Sequence, residues 1–327
     1  MRKTVHLCLS SHDEVMYRSE SDLILGFNCL AMAILETESR LLAEGFMTTH
    51  NHSLVQTDCY KEVVHRSRYA YTRYFNAKYQ RSGSLGEKRS FSLEVDGLYH
   101  TTSALNYVIR QGLHHGLAST PFEYPHCSAN AFFRNELGKT DNPRLIADGL
   151  RHHHLPRNKS LPPGKYRMSE NGLLLREDII DTAYVEEIYV SARNFLFQMN
   201  KLSSDRDNDE QRQENDTPPI TVELIESGVP DFESKQAKVF EQGRVDRNRM
   251  TDLELCSIVD EDIIPRYCKR GRGSSIYQLK ESERGQICEM LWQECCQSRY
   301  RRDFQHYLSG KTITEAQLLR CLYLRKK

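Results

Sequence analysis

A chain of 327 residues exceeds one small domain, and a composition of 39% apolar and 28% charged residues excludes both a wholly disordered polymer and a membrane-embedded bundle. Lys and Arg number 45 against 45 Asp and Glu, so no global basic field draws the chain to nucleic acid. The charge is segregated instead: residues 60–91, 139–168 and 299–327 are basic and 201–216 is acidic, which fits nucleic-acid binding by part of the surface and equally fits solvated helix faces.

In chain order, TVHLCL at residues 4–9 alternates polar and apolar side chains and predicts a strand. Leu23, Phe27, Leu30, Ala31, Ile34 and Leu35 have helical spacing and predict a helix over 22–38. Residues 41–55, apolar at both ends, suit one or two strands. A second helix is predicted over 61–79, with Val64, Tyr71, Phe75 and Tyr79 on one face, followed by the turn RSGSLGE and a short strand, SFSLEV, at 90–95. Leu98, Leu105, Val108, Ile109 and Leu113 predict a helix over 97–117. The order β-α-β-(β)-α-β-α is an α+β pattern of the split-βαβ kind.

Residues 118–165 are rich in Pro, His and Arg and are expected to wrap the first domain, with a helix over 178–199 closing a segment that spans 136–200. Residues 201–219 are charged, poor in apolar side chains and end in TPP, the composition of a linker. A smaller all-α unit is expected over 240–327, its last helix opened by a capping box of Thr312 and Glu315. Ten cysteines without a CxxC pair read as reduced thiols. MRKTVHLCLSSHDE lacks the apolar core of a signal peptide, and no run approaches the roughly 18 apolar residues of a membrane span, so the expectation is a cytoplasmic protein without membrane contact.

Two features carry chemistry. His50 and His52, two apart in a predicted strand, point to one face and could share a divalent ion if a third ligand arrives from elsewhere. Tyr107 and Gln111, four apart on a helix, share a face, so a phenol and an amide can approach one point. A phenol is a weak nucleophile at neutral pH and needs a polarised phosphate. By itself each feature is weak: most of the 17 tyrosines must be structural, and paired histidines are common. The doublet His114-His115 and the triplet His152–His154 read as polar surface, because adjacent side chains diverge on any regular element.

The motifs in order are more specific. His6 opens the first strand and Tyr17-Arg18 precedes the first helix. Then come GFMTTHNHSLVQTD, RYFNAKYQRSGSLGEKRSFSLEVD, ALNYVIRQGLHHGL and PFEYPHCSANAFF. This run, residues 4–133, resembles the single-tyrosine transposases of the HUH nuclease superfamily, and most of all their REP-associated branch. The resemblance implies a ferredoxin-like (RRM-like) antiparallel sheet with helices on one face, within a nuclease domain over 1–135. It implies His50 and His52 as metal ligands, Gln111 as the amide ligand and Tyr107 as the nucleophile. It further implies Mg²⁺ or Mn²⁺ as cofactor and single-stranded or hairpin DNA as partner, cut through a 5′-phosphotyrosine intermediate. Two positions depart from the family pattern: Asn51 stands where an apolar residue is usual, and Gln111-Gly112 replaces the commoner Asn-Pro.

Arg66, Arg68, Arg73, Arg81 and Arg89 are candidates for a phosphate-binding groove beside this site. TITEAQLLRCLYLRKK resembles the helical tail of some relatives, a helix-turn-helix-like unit in which Gln317 and Arg320 would enter a major groove. The competing readings are a non-catalytic DNA-binding derivative of such a transposase and an RNA-binding RRM-like module, which predicts aromatics exposed on the sheet. The sequence is compatible with a monomer or a homodimer.

Overall fold

A computed structural model describes residues 2–139, 143–200, 248–267, 275–296 and 306–324. The linker expected at 201–219 lies outside the described residues. No helix among those described is long and apolar enough to cross a membrane.

Residues 3–95 form β1 (Lys3–Ser10), α1 (Glu20–Glu36), β2 (Arg40–Phe46), β3 (His50–Thr57), α2 (Tyr60–Tyr79) and β4 (Phe91–Val95). The strands make one antiparallel sheet in the order β2-β3-β1-β4, so the expected α+β, ferredoxin-like class is observed. The segment 41–55 is two strands, folded back on itself where Met47 N donates to His50 O at 2.8 Å.

Alternation along β3 divides the sheet into two faces. Asn51 and Ser53 line a small cavity with Leu30 of α1 and Val63 of α2, which places both long helices on that side. Asn51, the unusual polar residue of the histidine strand, accepts a hydrogen bond from Tyr17 Oη at 3.2 Å within this layer. A capping box of Ser19 and Asp22 opens α1. Asp22, fully buried, also accepts from Tyr74 Oη (2.9 Å), Tyr79 Oη (2.6 Å) and Lys78 Nζ (2.6 Å), tying the start of α1 to the end of α2. Tyr71 Oη donates to Met16 O at 2.7 Å, so the tyrosine stripe of α2 is core and cap rather than a base-stacking platform.

The opposite face carries His6, Cys8, His50 and His52 and is covered by α3 (Gly97–Ile109). Cys8, Phe91, Leu93 and Tyr107 cluster there, and Ala104, Leu105, Val108 and Ile109 are buried. The tyrosine helix therefore lies across the sheet from the α1–α2 pair. The predicted helix over 97–117 breaks at Arg110 and resumes as α4 (Gln111–His114). Gly45 of β2 permits this approach, because a Cβ there would come within 2.7 Å of Val108 O and 3.3 Å of Gln111 Cβ. Gly112 admits the Tyr124 ring, which a Cβ would meet at 2.4 Å, and Tyr124 Oη donates to Phe46 O at 2.7 Å. The PFEYP segment thus braces α4 from behind, and this accounts for glycine after Gln111.

The helix expected over 178–199 is three pieces, α5 (Arg176–Ile179), α6 (Thr182–Tyr189) and α7 (Ala192–Asn200). Val190, at φ 65°, leaves the helical region and turns the chain between the last two. Further on, α8 (Asp252–Ser257) continues through a π-turn at Ile258–Ile263 into α9 (Ile264–Tyr267); α10 (Glu281–Cys296) and α11 (Glu315–Cys321) complete the unit. Leu255, Val259, Ile263, Ile287, Leu291, Leu318 and Leu322 form its core, which Val15 of the first domain joins. The cap of α11 is Thr314 with Gln317, not Thr312 with Glu315. Thr312 is held in extended backbone, its N–H donating to Asn248 O at 2.8 Å and its carbonyl accepting from Met250 N at 2.9 Å, and so cannot open the helix.

Candidate active site

The register of the sheet sets the site. His52 faces Cys8 of β1 on one side and Gly45 of β2 on the other, and His50 pairs with Ser10. The small neighbours leave room for both rings beneath α3. The ring centroids of His50 and His52 are 5.0 Å apart, and that of Tyr107 is 5.1 Å from His52. Tyr107 is half-buried between the buried Leu105 and Val108. Gln111, fully buried, folds its amide back so that Nε2 donates to Tyr107 O at 3.1 Å. It also acts on His50 as a hydrogen-bond partner that favours the protonated ring. The structure therefore brings His50, His52, Tyr107 and Gln111 to one place from a stretch of chain spanning residues 50–111.

Three more histidines complete the cluster. His6 Nε2 lies 3.0 Å from His52 Nδ1, with the two rings stacked. His115 Nε2 lies 3.2 Å from Gln111 Oε1, its ring 4.9 Å from that of His50, and the His114 ring is 6.0 Å from Tyr107. The surface reading of His114-His115 is thus corrected. The signal for His115 was present, since it follows Gln111 by four residues as Gln111 follows Tyr107.

Burial is the main influence on these rings. It pushes His6 and His50 down to about 3 and holds His52 and His115 well below the usual imidazole range. His126, buried behind β2, is pushed down to about 4 by the same cause. All five are neutral at pH 7, with lone pairs available to accept. The unfolded chain protonates such rings below about pH 6.5, whereas the fold resists until far lower, so the stability is complete above pH 6.5 and is lost as pH falls. Each ring adds a slope of up to about 1.4 kcal/mol per pH unit. Urea unfolding between pH 7.5 and 5 should show this slope, and His126→Gln should reduce it by about one proton; an unaltered slope contradicts the assignment.

Two buried nitrogens, His52 Nε2 and His6 Nδ1, have no hydrogen-bond partner. If His52 Nδ1–H donates to His6 Nε2, the His52 Nε2 lone pair is free for a ligand, as metal-binding histidines require. Neutral imidazoles, an uncharged amide and an orphaned ring nitrogen fit a divalent cation by donor type. Among the described residues, however, no group of three or more His, Cys, Asp or Glu side chains is arranged to hold an ion, and the Gln111 amide beside His50 is the candidate for a third protein ligand.

The arginine candidates divide. Arg66 pairs with Glu62 (2.7 Å) and Glu36 (3.0 Å), and Arg68 grips the carbonyl of Leu85 at 2.9 Å. Arg81 forms a buried pair with Glu14 at 2.6 Å. These three hold the fold, and Arg68 and Arg81 in particular fix the RSGSLGE turn. Arg73, stacked over the Tyr69 ring at 5.6 Å, and Arg89 are exposed. Gln317 does not face a groove: it is buried, its Oε1 caps Thr314 N at 3.0 Å and its Nε2 donates to Met250 O and to Asp252. Its exposed-looking place on an amphipathic helix is consumed by capping.

No known family profile and no curated protein matches the chain. One solved structure to which it is similar is that of a REP-associated tyrosine transposase bound to a REP hairpin. That likeness has 10% sequence identity and a TM-score of 0.33 and covers 43% of this chain and 82% of the other.

Proposed function

We propose that residues 1–135 are a metal-dependent, single-tyrosine DNA endonuclease and strand transferase of the HUH type, acting on single-stranded DNA at hairpins or repeats. The observation that carries this reading is the convergence of His50, His52 and Gln111 on Tyr107 under one helix. His50, His52 and Gln111 would hold Mg²⁺ or Mn²⁺, which when bound supplies Lewis-acid polarisation of a phosphodiester. Tyr107 supplies the nucleophile: its oxygen bonds to phosphorus and gives up its proton, while the 3′ oxygen leaves and takes one. The product is a 5′-phosphotyrosine and a free 3′ hydroxyl, and the reverse step joins strands. Neutral imidazoles suit this role, since a ring that resists protonation keeps its lone pair in mildly acidic solution.

The RNA-binding alternative is disfavoured by α3, which covers the sheet face where RNA-stacking aromatics would stand. A non-catalytic derivative is separated by assay. With hairpin-bearing single strands and Mn²⁺, the wild-type protein should yield a protein–DNA adduct that survives denaturation, and chelation should prevent it. Mn²⁺ titration should show one site in the wild type and at least about a tenfold weaker one in His50→Ala/His52→Ala. Equal affinity in both proteins rejects these ligands.

A further inference from the structure

The C-terminal helix α11 is fastened beside the histidine strand at both ends. At its start, Gln317 Nε2 donates to Asp252 Oδ1 at 2.9 Å, and Asp252 Oδ2 accepts from Thr48 Oγ1 at 2.7 Å. Thr48 stands two residues before His50. At its end, Arg18 Nη1 donates to Cys321 O at 2.7 Å, and the adjoining Tyr17 N donates to Thr48 O at 2.9 Å. Arg320 lies between these anchors, on the segment pinned to the turn that leads into His50.

The surroundings of Arg320 are unusual for an arginine. Its Nε is buried and has no hydrogen-bond partner, and among the described residues no carboxylate pairs with it. Its positive charge is felt at both His50 and His115, where it adds to the larger effect of burial in keeping the rings neutral. A buried N–H without an acceptor costs stability, and Asp252, the carboxylate whose charge is also felt at His50, is taken up by Thr48 and Gln317 and leaves the guanidinium without a paired counter-charge. An anion entering between α11 and the histidine cluster would satisfy both. A guanidinium suits a phosphodiester, whose oxygens it can take in paired hydrogen bonds.

We propose that Arg320 is a phosphate-binding residue of the His50–His52–Tyr107 site, so that the C-terminal unit completes the active site rather than gripping DNA elsewhere. This rests on the nuclease reading above. The role differs from that of a groove reader: a residue at the reacting phosphate changes the rate on bound DNA, whereas a remote contact changes affinity.

The test is single-turnover adduct formation by the full chain, with a hairpin-bearing single strand and Mn²⁺, alongside the Kd of that strand by anisotropy. Arg320→Gln should slow adduct formation at saturating DNA by about 100- to 1000-fold. Arg320→Lys should recover part of the rate, since charge is kept and the fork geometry is lost. The Tm of each variant, read without DNA, shows that α11 is still folded; a variant that melts early is replaced by Arg320→Met, which keeps the aliphatic stem. A weakened Kd with an unchanged saturated rate overturns the proposal in favour of a remote DNA contact. A rate that rises overturns it in favour of α11 as an inhibitory cover. An adduct formed by the wild type and by Arg320→Gln at equal rate and Kd overturns this inference alone, while no adduct from the wild type overturns the nuclease reading and this inference with it.

Discussion

Tyr107→Phe should abolish the covalent adduct and lower strand cleavage by on the order of 10³-fold or more, with DNA affinity nearly unchanged. The substitution removes one oxygen and keeps the ring, so the packing with Cys8, Phe91 and Leu93 and the contact with His52 survive. Thermal stability should consequently move little, which separates lost chemistry from lost folding. Several other tyrosines could in principle attack, but their hydroxyls are engaged: Tyr71 with Met16 O, Tyr74 and Tyr79 with Asp22, Tyr124 with Phe46 O and Tyr189 with Asn106 Oδ1. Burial also raises all five above the ordinary phenol range, which makes each a poorer nucleophile at neutral pH than a free phenol. An adduct that persists in Tyr107→Phe would place the nucleophile elsewhere and remove the main support for the mechanism.

The parts of this site that were legible in the sequence are those set by local periodicity. His50 and His52 share a face because a strand has a period of two, and Tyr107 and Gln111 share one because a helix repeats every 3.6 residues. The ferredoxin-like order of elements followed from the same periods. What escaped were features that depend on distant partners. Adjacent side chains such as His114 and His115 diverge on any regular element, but the break at Arg110 and the short α4 set both against the cluster. Gln317 looked like a solvent-facing side chain, and only the fold shows it bonded to Met250 O and Asp252. The cap expected at Thr312 with Glu315 is displaced to Thr314 with Gln317, because the bridge between Arg249 and Thr312 takes the first threonine into extended backbone. Arg66, Arg68 and Arg81 had the composition of a phosphate groove, but Arg68 is taken up by Leu85 O, 17 residues on, and Arg81 by Glu14, 67 residues back.

Arg18→Ala should be the most destabilising single change at the contact between the two units, costing about 3–5 kcal/mol. The Arg18 side chain is fully buried and forks onto Asp260, Nε to Oδ2 at 2.8 Å and Nη2 to Oδ1 at 2.7 Å, while Nη1 holds Cys321 O. A bidentate pair with a third bond satisfied is the geometry in which a buried charge is tolerated. Truncation at Arg18 strips Asp260, whose side chain is only 20% exposed, of its counter-charge and leaves the Cys321 carbonyl without a donor. The loss comes from that stranded group more than from the pair itself. Arg18→Met combined with Asp260→Leu should therefore recover most of the stability, because an apolar pair of similar size leaves no charge behind. A double-mutant cycle on Arg18 and Asp260, read by urea unfolding, measures the coupling directly. The same contact anchors the end of α11, so Arg18→Ala should also slow adduct formation in the surviving folded protein, as Arg320→Gln does. If Arg18→Ala costs under about 1 kcal/mol, the pair behaves as a solvent-exposed bridge and the two units are held together by other contacts.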